Sequence, residues 1–326
     1  MTYLLSLFLT VLFSSGAFAH LEKFHSRADA LATANGTSKA QHPWPFPLLS
    51  IGHAMHSYQN YGFTPYWHDG LDIRSEIDQP IYAAAGGKVV NIENYIQGDP
   101  LYWEVAIMDA EGFVWKYHHV DRKSIPKEIE EAYRTKTSVA AGTLLGNVVR
   151  WPIETYGEVY HHLHLLVVAS DKRYTNPFLL LEPLPDTKSP VITKIGIARN
   201  HRPTDLTSVK GAHSLYVEAS DLVLHDKFIL PPHKISYAID GASPKLLWNF
   251  THLPAPTDDE KFITDFYLDG TCGSYGCRRF YFNLNFTPES PRAQLRLKPG
   301  PHTVKVMVED FVGNKAEKDF TWTVIE

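Results

Sequence analysis

The feature that most constrains this chain is a set of histidines and carboxylates held in three short segments. These are H-D-G-L-D from His68 to Asp72, Y-H-H-V from Tyr117 to Val120, and H-L-H from His162 to His164. Imidazole and carboxylate groups are ligands of Zn²⁺, and a catalytic zinc site uses three protein ligands and leaves a fourth position for water. His68, Asp72 and one histidine of the H-L-H segment make such a set.

The H-L-H segment lies in a β-type run from Tyr160 to Ala169. Residues two apart on a strand project from the same face. His162 and His164 are therefore predicted to point together into one groove, while His161 points away. An H-x-H pair on its own is more often a surface or core feature than a metal site, so the conjunction with the other segments matters.

The same rule applies to the Y-H-H-V segment. If this segment continues a strand, Tyr117 and His119 share one face, and His118 lies on the other. His119 is thus the predicted site residue of this pair, and His118 and His161 are predicted to be bystanders.

Composition excludes several classes of protein. The chain has 326 residues, of which 44% are hydrophobic and 21% charged, values close to those of ordinary globular proteins. This length suggests two domains. The formal net charge of −5 offers no general attraction for polyanions, so nucleic acid is not an expected partner.

The first 19 residues resemble a signal peptide, because an apolar stretch from Leu4 to Phe13 is followed by small residues ending at Ala19. The mature chain would begin near His20 and would be periplasmic or secreted. No later segment is long enough to cross a bilayer, so no membrane span is expected after cleavage. Residues 20–44 are predicted to be irregular.

Two β-rich domains are predicted, over residues 45–182 and 191–326, joined by a proline-rich linker at 183–190. A short helix is predicted from Ile125 to Arg134. The strands predicted in the first domain are Pro80 to Tyr95, Tyr102 to Asp109, Gly112 to Val120, Thr143 to Arg150 and Tyr160 to Ala169. Those predicted in the second are Ser214 to Ala219, Lys234 to Ile239, Lys261 to Leu268, Arg279 to Phe286, His302 to Glu309 and Asp319 to Ile325.

Short strands at this spacing predict that the second domain is an antiparallel β-sandwich. Its ending, with a Gly-Asn turn in D-F-V-G-N, resembles the last hairpin of bacterial immunoglobulin-like modules. The two cysteines, Cys272 and Cys277, flank Gly273 and Gly276 and are predicted to form a disulfide, which fits an oxidising compartment. A metal pair is the alternative, and it lacks a neighbouring histidine or second cysteine pair.

The three segments together resemble the signature of the LytM or lysostaphin-type zinc endopeptidases, the M23 metallopeptidases of bacterial cell walls. That family has an H-x-x-x-D pair, a Y-x-H strand end and a closing H-x-H, in this order. Further similar fragments are P-I-Y-A-A-A-G-G-K-V-V from Pro80 to Val90 and the pair Asn176-Pro177. The resemblance covers roughly residues 45–180, and Leu166 departs from it by standing where the family commonly has Glu.

The resemblance implies a lysostaphin-type antiparallel β-sheet groove with one Zn²⁺ bound by His68, Asp72 and His164. It implies that His119 and His162 are the two catalytic histidines, of which one takes a proton from the metal-activated water. The other would stabilise the oxyanion or protonate the leaving amine. The implied activity is hydrolysis of peptide cross-links in peptidoglycan, with a protein or wall partner possible for the second domain.

Two other functions remain open at this stage. The chain could be a catalytically silent module that binds cell-wall peptide or regulates another hydrolase, although the complete ligand set argues against it. It could also be a peptidase that acts on proteins outside the cell wall. Asp69 and Asp78 are interpreted as turn or cap residues, and Tyr102, Trp103 and Trp115 as either groove-lining or buried aromatics.

Overall fold

The structure is a computed structural model, and residues 40–326 form one compact unit in it. It describes residues 41–47, 54–55, 60–61, 64–65, 68–152, 154–155, 158–159, 161–183, 186–221, 230–252, 259–271 and 279–326. The predicted signal peptide and both cysteines lie outside these residues. Within the described ranges, no helix is both long and apolar enough to span a membrane.

The described residues up to 183 form mostly short strands and include one α-helix. The strands are β1 (Ala54–Met55), β2 (Asn60–Tyr61), β3 (Thr64–Pro65), β4 (Leu71–Arg74), β5 (Pro80–Tyr82), β6 (Gly87–Asn94), β7 (Trp103–Met108), β8 (Val114–His118), β9 (Ser138–Val139), β10 (Leu144–Asn147), β11 (Glu154–Thr155), β12 (Glu158–Val159), β13 (His162–Val168) and β14 (Tyr174–Thr175). The helix α1 spans Lys127–Thr135, and 3₁₀ turns cover Arg122–Ser124 and Pro177–Leu179.

Eight of these strands form one antiparallel sheet in the order β1-β4-β13-β8-β7-β6-β9, with β14 added beside β13. The alternate residues Leu163, Leu165 and Val167 of β13 are fully buried in the core on one face. His162 and His164 therefore lie on the other face, as the period of two predicts. This face is where the site forms.

The register of the sheet places the candidate site residues side by side. His164 on β13 is paired with Asp72 on β4 and, on its other side, with His118 on β8. Directly opposed residues on antiparallel strands have side chains about 5 Å apart on the same face. The pairing therefore brings together residues that are far apart in the sequence.

The second part of the chain contains two further sheets. Its strands are β15 (Val191–Arg199), β16 (Arg202–Pro203), β17 (Ser208–Lys210), β18 (Ser214–Ser220), β19 (Lys234–Ile239), β20 (Lys245–Asn249), β21 (Tyr281–Asn283), β22 (Gly300–Glu309) and β23 (Lys315–Ile325). One sheet has the order β16-β15-β18-β21, and the other has the order β17-β23-β22-β19-β20. Buried side chains of both sheets share one core, so this region is a β-sandwich.

The chain is mainly β with antiparallel sheets, which confirms the predicted fold class. One pair in the sandwich departs from it, because β17 and β23 run parallel. The strand predicted from Lys261 to Leu268 is wrong: helix α2 occupies Asp259–Phe266. Ile263, Phe266 and Tyr267 are all buried there, and this spacing of three and four residues is helical.

Residues near the predicted domain boundaries make specific contacts. His42 forms a β-bridge with Leu181. The backbone N–H of His42 donates to the Leu180 carbonyl, and the His42 carbonyl accepts from the Glu182 N–H. The end of the predicted irregular segment is therefore hydrogen-bonded to residues 180–182. On the other side, the Asn176 amide donates to the carbonyl of Phe250 at 3.0 Å. Hydrogen bonds thus join the first part of the chain to the sandwich.

Candidate metal centre

His68, Asp72 and His164 converge in the structure. His68 Nε2 lies 3.0 Å from Asp72 Oδ1, His164 Nδ1 lies 3.1 Å from His68 Nε2, and His164 Nδ1 lies 2.9 Å from Asp72 Oδ1. All three residues are buried, with exposed fractions of 6%, 6% and 8%. Three donor atoms therefore form a nearly equilateral triangle.

This triangle fits a tetrahedral divalent ion. Two ligands held about 2.1 Å from such an ion stand about 3.4 Å apart, only slightly farther than the three distances in the structure. The donors are two imidazole nitrogens and one carboxylate oxygen, a set that Zn²⁺ accepts. One potential ligand atom from each of the three residues lies within 4.8 Å of the others, so together they can hold a metal ion.

The charges around Asp72 keep it ionised. Burial would raise the pKa of the Asp72 carboxyl, but the charges of His68 and His162 and the hydrogen bonds from His164 and His68 hold it well below its usual range. An ionised carboxylate is the form that ligates a metal.

His164 is held at both ring nitrogens. Nδ1 faces Asp72, and Nε2–H donates to Asp69 Oδ1 at 3.1 Å. Burial alone would lower the pKa of His164, but the hydrogen bonds to Asp69 and Asp72 outweigh it and raise the pKa to about 10. Asp69, interpreted from the sequence as a turn or cap residue, thus orients the ring of a candidate ligand, and that interpretation was incomplete.

His119 enters the site by a change in backbone conformation. Strand β8 ends at His118, and His119 has a φ of 63°, in the left-handed region. Its Nδ1–H donates to the Leu101 carbonyl at 2.9 Å, and its ring lies 4.7 Å from that of His162. Tyr117, which the alternation predicted to share its face, lies instead in the core with its hydroxyl oxygen 2.7 Å from the Ala84 N–H.

His118 is therefore not the bystander that the sequence predicted. Its ring stacks on that of His164 with centroids 5.3 Å apart. Its Nε2–H donates to Glu104 Oε2 at 2.7 Å, and the Lys116 ammonium donates to the same oxygen at 2.9 Å. Burial would raise the pKa of Glu104, but these two partners lower it to about 2. This ionised, buried carboxylate fixes the ring that packs beside His164.

His162 lies next to the triangle. Its Nε2 is 3.9 Å from Asp72 Oδ1, and its ring is 4.9 Å from that of Trp151. Trp151 is also 4.6 Å from His119, and its indole N–H is buried without a hydrogen-bond partner. The two histidines and this indole form one wall of the site.

The structure brings all five predicted site residues together. It also adds four whose part in the site sequence reasoning missed: Asp69, Glu104, His118 and Trp151. Asp69 was adjacent to a predicted ligand, but no local pattern connects Glu104 or Trp151 to the site. Of the aromatics considered from sequence, Trp115 is buried in the core, whereas the Tyr102 ring lies 5.5 Å from that of His119.

Comparisons with known proteins bear on the same region. Residues 66–177 match the family model described as peptidase family M23. No protein with a curated description matches the chain.

Several solved structures are similar to the chain. A Pseudomonas aeruginosa protein assigned as an M23 peptidase has 22% identity over 49% of this chain and 61% of its own, with a TM-score of 0.31. A Ruminococcus gnavus protein assigned as a glycyl-glycine endopeptidase LytM has 24% identity over 34% and 44%, with a TM-score of 0.26. The catalytic domain of the antimicrobial peptidase lysostaphin from Staphylococcus simulans has 18% identity over 44% and 88%, with a TM-score of 0.26. The chain thus spans less than two thirds of the length of the first two.

The family match and the site coincide. The matched segment, residues 66–177, contains each of the five predicted site positions. It covers about a third of the chain and ends just before the sandwich begins. Residues 66–177 are thus similar to peptidase family M23 over the part of the chain that carries the candidate site.

Proposed function

We propose that this protein is an exported zinc endopeptidase that hydrolyses peptide cross-links in bacterial peptidoglycan. The observation that carries the proposal is the convergence of His68 Nε2, Asp72 Oδ1 and His164 Nδ1 within 3.1 Å of one another, inside the segment that matches peptidase family M23. Peptide-bond hydrolysis follows from the family, and the cell wall as substrate follows from the resemblance together with the predicted signal peptide at residues 1–19.

His68, Asp72 and His164 would hold one Zn²⁺. When bound, the ion supplies Lewis acidity, which polarises a carbonyl and makes water a nucleophile near neutral pH. The protein's part is to present three ligand atoms on a rigid sheet. A zinc-bound His164 would use the lone pair of Nδ1, so that nitrogen would have to be unprotonated while Nε2–H donates to Asp69.

His119 is suited to accept a proton from water. Its Nδ1 must carry hydrogen, because the Leu101 carbonyl can only accept. Burial, together with the charges of His162 and His164, lowers the pKa of His119 well below its usual value. The ring is therefore neutral at pH 7, and its Nε2 carries a lone pair that can accept a proton.

His162 takes the complementary role in this proposal. It lies beside His119, and its Nε2 is on the side of Asp72. From this position it would donate a hydrogen bond to the developing oxyanion or a proton to the leaving amine. The indole of Trp151 packs against both rings, and its N–H is buried without a partner among the described residues, so its part in this proposal is to hold the two imidazoles in place.

Substitution separates binding of the metal from the chemistry. We expect His68→Ala to lose both zinc and activity, because it removes one of three ligands. We expect His119→Ala and His162→Ala to keep stoichiometric zinc but to release no new amines from purified sacculi. His302→Ala, in the distant sandwich strand β22, is the control and should match the wild type in both measurements.

The same assay decides between the proposal and its alternatives. Zinc content is measured by elemental analysis, and the released muropeptides are identified by mass spectrometry. Wild-type protein with full zinc that leaves sacculi and cross-linked peptides intact would favour a silent binding module. Cleavage of glycine-rich proteins with sacculi untouched would favour a peptidase that acts outside the cell wall.

A further inference from the structure

A second group of potential metal ligands lies in the sandwich, away from the site described above. Asp221 directly follows strand β18, Asp310 directly follows strand β22, and Asp186 lies in the predicted linker. One carboxylate oxygen of each residue lies within 4.8 Å of those of the other two. Three acidic side chains from separate parts of the chain thus meet at one point.

The buried carboxylate of Asp221 is the feature that indicates a bound ligand. Only 2% of the residue is exposed, and its Oδ1 is buried without a hydrogen-bond donor. A buried carboxylate is normally hydrogen-bonded or paired with a cation. In the described part of the chain, no lysine or arginine forms an ion pair with any of the three aspartates. Among the described residues, the Asp221 carboxylate therefore lies near two acidic neighbours and has no cationic partner.

The other two aspartates are held in place by the backbone. Asp310 Oδ1 accepts from the N–H groups of Val312, Gly313 and Asn314 at 2.7–3.0 Å, which fixes its side chain at the hairpin turn. Asp186 Oδ1 accepts from the N–H of Lys188 at 2.9 Å. The three carboxylates are thus positioned before any ligand arrives.

Asn314 connects the turn to the linker. Its side-chain amide donates to Asp310 Oδ2 at 2.8 Å and contacts the carbonyl oxygens of Asp186 and Lys188 at 3.2 and 3.1 Å. The linker therefore lies against the hairpin turn at this point. A ligand bound by the three aspartates would join the same two segments.

The chemistry of the donors selects the class of ligand. All three are carboxylates, and hard oxygen donors favour Ca²⁺ or Mg²⁺ over zinc. Ca²⁺ tolerates irregular geometry and six to eight oxygen ligands, whereas Mg²⁺ demands near-octahedral geometry. A cluster assembled from a linker and two strand ends suits the less demanding ion.

We infer that Asp186, Asp221 and Asp310 bind one Ca²⁺ ion that fixes the linker to the β-sandwich. The ion neutralises the buried carboxylates and gives the unpaired oxygen of Asp221 a partner. In its absence, burial and the charges of Asp310 and Asp186 raise the pKa of Asp221 to about 7. The inference does not depend on the proposed peptidase activity.

The test is a calcium titration of the purified full-length chain, stripped of metals and reloaded with one equivalent of zinc. Isothermal titration calorimetry should show one Ca²⁺ per chain. With a dissociation constant in the range of extracellular calcium modules, about 10 mM CaCl₂ should raise the melting temperature by roughly 3–8 °C. Mg²⁺ at the same concentration should raise it less.

Conservative variants make the result specific. Asp221→Asn and Asp186→Asn keep the shape of the side chain but remove a charge, and each should abolish most of the calcium-dependent shift. Asp205→Asn, at an exposed carboxylate paired with Lys194, is the matched control and should keep the whole shift. His68→Ala should also keep it, which separates this site from the zinc site. Should Asp221→Asn fail to fold, Asp186→Asn provides the same test at a partly buried position.

The inference is overturned if the wild type gives neither heat nor a shift in melting temperature with Ca²⁺. It is also overturned if the asparagine variants shift as much as the wild type. A larger shift with Mg²⁺ than with Ca²⁺ would overturn the assignment of the ion.

Discussion

Asp69 provides the sharpest test of how the metal centre is built. Its Oδ1 accepts from His164 Nε2–H at 3.1 Å, while Nδ1 of the same ring faces His68 and Asp72. A carboxylate on the far nitrogen of a ligand histidine fixes the ring and increases its basicity, and its loss typically reduces metal affinity by about 10- to 100-fold. We therefore expect Asp69→Ala to weaken zinc binding without removing a ligand.

The environment of Asp69 sets the expected size of the effect. About a third of its side chain is exposed, at 34%, so solvent screens part of the interaction. We expect the lower end of the range, a loss of about tenfold in zinc affinity, which corresponds to about 1.4 kcal/mol. Asp69→Asn keeps an acceptor for the N–H and should lose less than Asp69→Ala.

The measurement is a competition titration of zinc against a chelating dye, with activity on sacculi at saturating zinc as a second readout. Activity should recover in Asp69→Ala when zinc is saturating. Glu76→Ala removes an exposed carboxylate seven residues away in sequence and is the control. Zinc affinity equal to that of the wild type in Asp69→Ala would show that Asp69 only shapes the turn.

Three further predictions concern the scaffold of the site. In Gly70→Ala, the added Cβ would lie 2.5 Å from the Leu165 carbonyl oxygen, so we expect a loss of about 1–3 kcal/mol in urea unfolding and weaker zinc binding. The lowered pKa of Glu104, about 2, means that its stabilising effect is present above pH 4.5 and is lost as pH falls toward 2. The free energy of unfolding of Glu104→Gln should therefore change less than that of the wild type between pH 4.5 and pH 2, by roughly 3 kcal/mol at most. The same pH dependence in both proteins would contradict this role of Glu104. Tyr117→Phe leaves the buried Ala84 N–H without its acceptor and should cost about 1–3 kcal/mol in the same urea assay, whereas an effect near zero would mean that water replaces the hydroxyl.

The sequence predicted the shared face of His162 and His164 because both lie inside one continuous strand, where the period of two holds. It was wrong about the partners of His119, because β8 ends at His118 and the next residue turns into the left-handed region. A backbone change at a strand end reverses the face of every residue beyond it. Only the conformation of His119 shows that both adjacent histidines, His118 and His119, lie on the side of the site.

Helix α2 in the sandwich is a second place where the sequence pattern predicted the local structure wrongly. The segment K-F-I-T-D-F-Y-L reads as a strand because it is rich in aromatic and β-branched residues, yet Ile263, Phe266 and Tyr267 are buried at helical spacing. Short apolar segments fit both periods, and the surrounding core decides between them.

The sequence by itself determines the local chemistry of this protein. It shows which side chains can ligate a metal, which can carry a proton, and which runs of residues form strands. These properties belong to single residues and their nearest neighbours. The antiparallel register that sets His164 between Asp72 and His118 belongs to the tertiary structure, as do the pairing of Asp69 with His164 and the meeting of Asp186, Asp221 and Asp310. Contacts between distant segments depend on how sheets pair and pack, and no short pattern in the chain encodes them.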